Sequence, residues 1–221
     1  MSEATKQHGP QARTDDSAAV PPGYKWTELG VIPNEWDSKR LGEHVKYLSK
    51  GTNSRAELVS DGPIKYLHYG DIHTTTEVRL NPLVEGMPSL PEERARTLDR
   101  LRDGDLVFVD ASEDLDGIGK SVEITCASDT EIVAGLHTIA ARFDKSILVD
   151  GYKAYLQFCP AFRHHLRRLA AGTKVYATNR AHISSAQVPL PPLPEQRTIA
   201  NALSDVDGLI GAIVALIAKK R

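Results

Sequence analysis

Residues 189–221 read PLPPLPEQRTIANALSDVDGLIGAIVALIAKKR, and this stretch decides how the chain is organised. Its apolar residues recur at intervals of 4, 3, 4, 3 and 4 positions: Ile199, Leu203, Val206, Ile210, Ile213 and Ile217. This is the heptad spacing of a coiled coil, and a helix from Glu195 to Arg221 would be about 40 Å long. The spacing predicts a projecting helix that needs a partner helix. The alternative is a terminal helix folded back on its own domain.

The helix is preceded by PPLP (residues 191–194), which predicts a stiff linker because successive prolines continue neither a sheet nor a helix. We therefore expect a disordered polar tail over residues 1–22, a globular domain over 23–190, and the linker with its coiled-coil helix over 191–221. The tail lacks the apolar core of a signal peptide, and no apolar run approaches the ~20 residues of a membrane span. These features predict a cytoplasmic protein.

Upstream of the linker, short segments rich in β-branched and aromatic residues predict strands. They are Ile64–Gly70, Leu106–Val109, Val122–Thr125 and His137–Phe143, with the turn Asp103-Gly104 before the second. Helical features follow, with Asp150 as the predicted cap of YKAYLQF (152–158), Pro160 in the first turn of a second helix, and Gly172 as its stop. A last extended segment is expected over residues 181–190. The predicted fold class is α+β: an irregular, mostly antiparallel sheet with packed helices, followed by the long helix.

The charge is unevenly distributed along the chain, although the net charge is only -2 over 221 residues. Residues 151–194 contain no Asp or Glu and several Lys and Arg, whereas residues 85–116 are rich in acids. The basic segment predicts a face that can bind phosphates, and the alternative is an ordinary solvated surface. The two cysteines, Cys126 and Cys159, lie outside any C-x-x-C pattern and indicate neither a disulfide framework nor a zinc site.

Catalytic motifs are missing from the sequence. It has no P-loop, no dinucleotide-binding glycine motif and no nucleophile elbow. The acids from Asp105 to Asp116, together with Lys120, imitate the carboxylate cluster of a metal-dependent nuclease, although acidic loop residues after a strand are common. The sequence therefore predicts a binding protein and not an enzyme.

Four segments together resemble the specificity subunits of type I restriction-modification systems. They are GYKWTELGVIPNEWDSKRLGE (23–43), IKYLHYGDIH (64–73), LRDGDLVFVDASEDLDGIGKSVEI (101–124) and AGTKVYATNRAHISSAQVPLPPLPEQRTIANALSDVDGLI (171–210). The string PLPPLPEQRTIANAL (189–203) is the most specific match. The resemblance implies that residues 23–190 form a target-recognition domain and that the chain itself is non-catalytic. It also implies partners: double-stranded DNA, methyltransferase subunits that use S-adenosylmethionine, and a restriction subunit that uses ATP and magnesium.

A complete specificity subunit resembles two tandem halves, whereas nothing in this chain repeats. The resemblance therefore implies either a natural half-subunit or a truncated fragment. A half-subunit pairing its helix antiparallel with a second copy would form a homodimer that reads a split palindrome. A truncated assembly or inhibitory module is the alternative within the same resemblance.

DNA contact calls for polar or cationic side chains on loops and strand ends. The candidates are Lys50, Thr52, Asn53, Arg55, Tyr69, Asp71, His73, His137, Lys174, Tyr176, Asn179 and Arg180. Lys174, Tyr176 and Asn179 are favoured because they follow a helix stop in the acid-free segment. Tyr69 and Asp71 have equally good alternative roles in the sheet core and in capping a turn.

Overall fold

The computed structural model describes residues 20–84, 86–172 and 174–220. The disordered tail predicted for residues 1–22 therefore lies, up to residue 19, outside the described residues. The strands are β1 (Tyr24–Thr27), β2 (Gly30–Pro33), β3 (Asp37–Arg40), β4 (Val45–Tyr47), β5 (Ile64–Leu67), β6 (Arg79–Leu80), β7 (Ser89–Leu90), β8 (Leu106–Val109), β9 (Ala111–Ser112), β10 (Ser121–Ile124), β11 (Glu131–Ala134), β12 (Thr138–Phe143), β13 (Tyr176–Ala177) and β14 (Gln187–Leu190). The helices are α1 (Tyr69–Thr74), α2 (Glu92–Ala95), α3 (Pro160–Leu169), α4 (Arg180–Ser185) and α5 (Leu193–Lys219).

The strands form several small sheets. The largest has the order β4-β12-β8-β10-β6, a second has the order β11-β5-β7, and three pairs are formed by β1 with β2, β13 with β9, and β14 with β3. Within the described residues, β10 with β6 and β11 with β5 are the parallel pairs, and the other named pairs are antiparallel. The predicted α+β class with a mostly antiparallel, irregular sheet is confirmed.

Strand β8 is the centre of the largest sheet, and all four of its residues are buried. Successive side chains on a strand point to opposite faces. Leu106 and Phe108 accordingly enter one apolar cluster, while Val107 and Val109 enter another. Helices α3 and α4 contribute to the first cluster and α1 contributes to the second. The sheet therefore carries a core on each face, and the loop that follows β8 emerges between them.

Two predicted extended segments contain helices. The predicted strand Ile64–Gly70 ends at Leu67, and α1 begins two residues later. The cause is a capping box in which the backbone N–H of His68 donates to Asp71 Oδ2 at 2.9 Å and that of Gly70 donates to His68 Nδ1 at 3.2 Å. The extended segment expected over residues 181–190 is divided in the same way into α4 and β14.

The expected cap of the YKAYLQF segment is also wrong. This segment forms a 3₁₀ helix, Lys153–Phe158, and Asp150 binds the ammonium groups of Lys145 and Lys153 at 2.6 Å each. The backbone N–H groups of Gly151 and Ala154 donate instead to the buried carboxylate of Glu123, at 2.6 and 3.0 Å. By contrast, Pro160 begins α3 as predicted.

The second half of the stiff linker predicted at residues 191–194 is the start of α5. Pro192 is the N-cap residue, and the helix begins at Leu193. One turn later the buried side chain of Gln196 donates to the carbonyl oxygens of Ile147 and Pro191 at 2.9 Å each, and it accepts from the N–H of Val149 at 3.1 Å. The base of α5 is therefore bonded to the globular domain.

The outer part of α5 is very apolar. By length and composition alone this helix is long enough and apolar enough to cross a membrane, with a mean hydropathy of 1.6 over its most apolar 18 residues. The prediction that no apolar run approaches the length of a membrane span is therefore wrong for this helix. A helix of this kind is weak evidence for a membrane, because the same composition serves helices that pack against other helices.

Candidate nucleic-acid interface and partner helix

A cleft of about 580 Å³ lies between α1 and the loop that follows β8. Strand β8 ends at Val109, so residues 110–114 leave the sheet beside the first turns of α1. The cleft is lined by Tyr69, Gly70, His73, Thr74, Ala111, Ser112, Glu113, Asp114, His137 and Val175. Three of these residues, Tyr69, His73 and His137, were predicted from the sequence, and the structure brings them together.

The aromatic wall of the cleft is held by ring contacts and hydrogen bonds. The ring of Tyr69 meets those of His73 and His137 edge to face, with centroid distances of 5.9 and 5.3 Å. His73 Nε2 lies 3.0 Å from the carbonyl oxygen of Ala111, and His137 Nδ1 lies 3.1 Å from Asp110 Oδ1. These contacts therefore connect α1 to the loop after β8 and form one wall of the cleft.

The loop of residues 49–55 reaches the same region. Lys50 Nζ lies 2.7 Å from Asp110 Oδ2, and Arg55 Nη2 lies 2.5 Å from Asp71 Oδ1. The carbonyl oxygen of Asn53 accepts a hydrogen bond from a buried tyrosine hydroxyl at 3.0 Å, while the side chain of Thr52 is exposed. Lys50 and Arg55 thus bond residues that adjoin the cleft lining, whereas Thr52 and Asn53 do not line it. Asp71 has the capping role that was its alternative. The alternative for Tyr69 holds in part: this residue begins α1 and is not in a strand, but its side chain packs against the apolar cluster that contains Val107 and Val109.

The favoured candidates of the acid-free segment divide into two groups. Tyr176 in β13 pairs with Ser112 in β9, and Ser112 lines the cleft. The exposed Lys174 lies two residues before Tyr176 in the chain. Asn179 caps α4 by accepting from the N–H of His182 at 3.0 Å. Arg180 donates to the carbonyl oxygen of Leu48 at 2.7 Å and stacks on Tyr47. Asn179 and Arg180 therefore have structural duties, whereas Lys174 is exposed.

The residues that sequence reasoning missed are mostly on the opposite wall of the cleft. Glu113 and Asp114 were considered only as members of the nuclease alternative, and Val175 was not considered. The available indication was position: Glu113 follows the buried strand β8 and the short strand β9, and side chains at strand ends commonly line sites. The contact of α1 with the loop after β8 could not be read from one segment of sequence, because His73 and Ala111 are 38 residues apart in the chain.

The basic segment does not form a single cationic face. Lys153 is completely buried and paired with Asp150, and Arg163 and Arg167 both pair with Asp116. Within the described residues, Arg168, Lys174 and Arg180 are the cations of this segment that are exposed and make no ion pair. The face that was expected to bind phosphates therefore keeps three of its six cations free of ion pairs within the described residues.

The acids of the nuclease alternative do not converge. Asp105 is buried and binds Arg142 through both oxygens, at 2.8 and 2.6 Å. Lys120 donates at 2.8 Å to the carbonyl oxygens of His73 and Thr75, and burial lowers its pKa. Among the described residues, no three His, Cys, Asp or Glu side chains are grouped so as to hold a metal ion. The arrangement does not favour a nuclease.

The predicted apolar seam lies along α5 and is unpartnered in the single chain. From Leu203 to Ile217 its members are between 39% and 53% exposed. Ile199 and Leu203 line a groove of about 350 Å³ at the helix base, together with Tyr152, Phe158 and Cys159. The Tyr155 hydroxyl donates to Asp207 Oδ2 at 2.8 Å, which fixes the helix up to its fourth turn. The folded-back alternative is therefore wrong for the described part of the outer helix.

A second set of apolar residues lies outside the seam. Leu209, Val214 and Leu216 are each more than half exposed, at 62%, 59% and 55%. The outer half of α5 thus presents apolar side chains on more of its circumference than one partner helix covers.

The chain is thus an α+β domain with a cleft at the end of its central strand, followed by an exposed apolar helix. No family model matches it. The type I restriction enzyme MjaVIII specificity subunit of Methanocaldococcus jannaschii is 27% identical over 195 residues, which are 85% of this chain and 43% of that protein. A second protein of that organism, provisionally named the MjaX specificity subunit, is 27% identical over 86% of this chain and 44% of its own length.

Solved structures show the same fold. The HsdS subunit from Thermoanaerobacter tengcongensis superimposes with a TM-score of 0.55 at 18% identity, over 86% of this chain and 41% of that one. The S subunit from M. genitalium gives a TM-score of 0.52 at 16% identity, over 84% and 43%. The chain is therefore similar to type I specificity subunits, as the motifs predicted, and it spans less than half the length of the relatives it matches.

Proposed function

We propose that this chain is the sequence-specific, double-stranded DNA recognition half-subunit of a type I restriction-modification complex. The observation that carries the proposal is the 195-residue match to named specificity subunits, which covers most of this chain and less than half of theirs. In this role the chain is non-catalytic and directs methylation and cleavage by partner subunits in the cytoplasm. Residues 23–190 form the target-recognition domain, and residues 191–221 form the helix that assembles the complex.

The cleft beside α1 and its rim are the proposed DNA-reading surface. Base edges are read by polar side chains of the kind that line this cleft, while cations bind the phosphates. Lys50, Thr52 and Lys174 are the candidates for backbone contact, and Tyr69, His73 and His137 are those for base contact. The bonds described above position this surface, and they are made by Arg55, Asp71, Asn179 and Arg180. Asn53 and Tyr176 belong to the same surface.

Two copies pair through the seam of α5 in this proposal. An antiparallel pair centred on the middle of the seam places Ile217 of one copy opposite Ile199 of the other, because the six seam positions are symmetric about residue 208. Such a pair is isologous, so the two recognition domains face DNA in inverted orientation. The target of the dimer is then a split palindrome whose spacer is set by the length of the paired helices.

The remaining apolar surface of the outer helix is assigned to partner subunits. Leu209, Val214 and Leu216 stay exposed when the seam is paired, and exposed apolar surface of this kind favours further helix packing. The methyltransferase subunits take this surface and supply S-adenosylmethionine chemistry, while the restriction subunit supplies the ATP- and magnesium-dependent step. This chain holds none of these cofactors itself.

Mapping of methylated sites tests the proposal. The full chain is co-expressed with a type I methyltransferase subunit of its own host in cells that lack other adenine methylation, and the genomic positions are mapped. The expected result is methylation at a split palindrome, lost in a variant with Ile210→Asp and kept in one with Asn201→Asp on the outer face of the same helix. Methylation at an asymmetric site contradicts the homodimer. An absence of methylation in the presence of a stable complex favours the assembly or inhibitory module.

A further inference from the structure

The histidines of the cleft wall have their hydrogen-bonding roles set by their neighbours. The ionised carboxylate of Asp110 only accepts hydrogen bonds, so the 3.1 Å contact requires that His137 Nδ1 donates. The carbonyl oxygen of Ala111 also only accepts, so His73 Nε2 donates at 3.0 Å. In the neutral form of each imidazole the second ring nitrogen is then an acceptor. In that form each histidine keeps one acceptor nitrogen that makes no hydrogen bond within the described residues.

Glu113 adds a carboxylate to the same cleft. It lies on the wall opposite α1, its side chain is exposed, and it makes no hydrogen bond or ion pair with any residue that the structure describes. The neighbouring acids are occupied, since Asp110 binds Lys50 and His137, Asp114 Oδ1 accepts from the N–H of Gly117 at 2.6 Å, and Asp116 binds two arginines. The cleft is consequently rich in acceptors.

A cleft rich in acceptors does not suit a phosphate, because phosphate oxygens are negatively charged acceptors themselves. It suits a hydrogen-bond donor. In the major groove the donors on base edges are the exocyclic amino groups, N4 of cytosine and N6 of adenine, whereas guanine and thymine present acceptors there. Resting on the proposed function, we propose that this cleft reads the exocyclic amino group of a cytosine or adenine in the major groove, with Glu113 as the principal acceptor.

The position of the cleft agrees with this assignment. Val175 lines the cleft, and the exposed Lys174 precedes Val175 in the chain, so a cation lies next to a lining residue. A second cation, Lys50, is held by Asp110. Cations at the rim bind the phosphate backbone and bring the base edges to the carboxylate. Glu113 then contributes selectivity at the expense of overall affinity, because its charge repels DNA that lacks the matching amino group.

Selection of binding sites from a random pool of duplex DNA tests the proposal with the purified full chain. The variants are Glu113→Gln, which keeps the shape and removes the charge, and Glu113→Ala. Asp129→Asn is the matched control: it removes an exposed charge from a turn whose Ala127 N–H is bonded to Asp103, beyond the opposite end of β8. Unchanged thermal unfolding of both Glu113 variants is expected, since this side chain makes no bond within the described structure.

The wild-type chain and the control are expected to prefer cytosine or adenine at one position of the selected site. In Glu113→Ala the preference over guanine and thymine at that position falls about tenfold, and the other positions stay unchanged. If the variant loses its preference for cytosine, cytosine is the base that the cleft reads, and if it loses its preference for adenine, adenine is. Retention of the preference, an equal loss at all positions, or loss at a guanine or thymine overturns the inference. A wild-type chain that selects no sequence overturns the proposed function together with it.

Discussion

The cleft beside α1 and the outer half of α5 are both exposed, and they are built in opposite ways. The cleft is assembled from segments far apart in the chain: Lys50 meets Asp110 across 60 residues and His137 meets it across 27. The outer half of α5 is one continuous segment, and the residues of its seam follow one heptad spacing. The difference teaches that the proposed surface for helix partners is encoded locally, whereas the proposed DNA-reading surface depends on the complete fold.

The largest expected effect comes from a charge placed in the apolar seam. Ile210→Asp puts two carboxylates in the centre of the proposed helix pair, where each lacks a partner and loses its hydration. We expect the dimer to dissociate at least 100-fold more readily, measured by light scattering over a concentration series, while the folded domain is unchanged. Asn201→Asp on the outer face is the control. An equal mass for both variants at every concentration would exclude the seam as the interface.

The next effect concerns the junction between the two regions. Gln196→Ala removes the side chain that serves three buried backbone groups at the base of α5, namely those of Ile147, Val149 and Pro191. Leaving such groups unsatisfied costs about 2 to 3 kcal/mol of the free energy of unfolding. Urea denaturation of the variant measures this loss. Thr198→Ala, at an exposed position on the next turn, should change the free energy by less than about 0.5 kcal/mol.

A smaller effect is the pH dependence of the helix cap at the start of α1. Burial, and to a lesser degree the charge of Arg55, lowers the pKa of His68, whose Nδ1 must be unprotonated to cap α1. Because the pKa in the folded state is below the value of 6.5, this contribution to stability is present above pH 6.5 and is lost as the pH falls through the folded pKa.

The variant His68→Asn isolates this effect, because asparagine caps a helix at any of these pH values. Thermal unfolding between pH 7.5 and pH 5 should show a shallower slope for the variant than for the wild type. Part of the slope should remain, since burial also lowers the pKa of His165. Identical slopes for both proteins would show that the His68 cap does not control the stability of α1.

The smallest effect is expected at the rim of the cleft. Lys174→Ala removes one exposed cation, so affinity for all DNA sequences should fall modestly and the slope of log affinity against log salt should decrease by about one unit. Filter binding at several salt concentrations measures the slope. Arg163→Ala is the comparison, because Arg163 is paired with Asp116 and its removal should leave the slope nearly unchanged. An unaltered slope in Lys174→Ala would remove this lysine from the phosphate contacts.

The sequence predicted the fold class, the strand Leu106–Val109 and the helix seam because each depends on a short-range pattern. It did not predict α1 or α4. Each of these helices is six residues long, and its cap overrides the apparent β propensity of the segment. It named Tyr69, His73 and His137, which line the cleft, because polar and aromatic residues that follow a predicted strand are visible in sequence. It did not place Glu113 in the cleft, because the acids near it are held by partners up to 60 residues away in the chain.

The stoichiometry of the purified chain on a duplex that carries its mapped target tests the central claim most directly. The account predicts two copies per duplex, measured by analytical ultracentrifugation, with two nuclease footprints in inverted orientation separated by a fixed spacer. Changing the spacer by half a helical turn of DNA should abolish the two-copy complex. A single footprint from one bound copy, or two-copy binding that tolerates any spacer, would contradict a half-subunit that reads a split palindrome as a dimer.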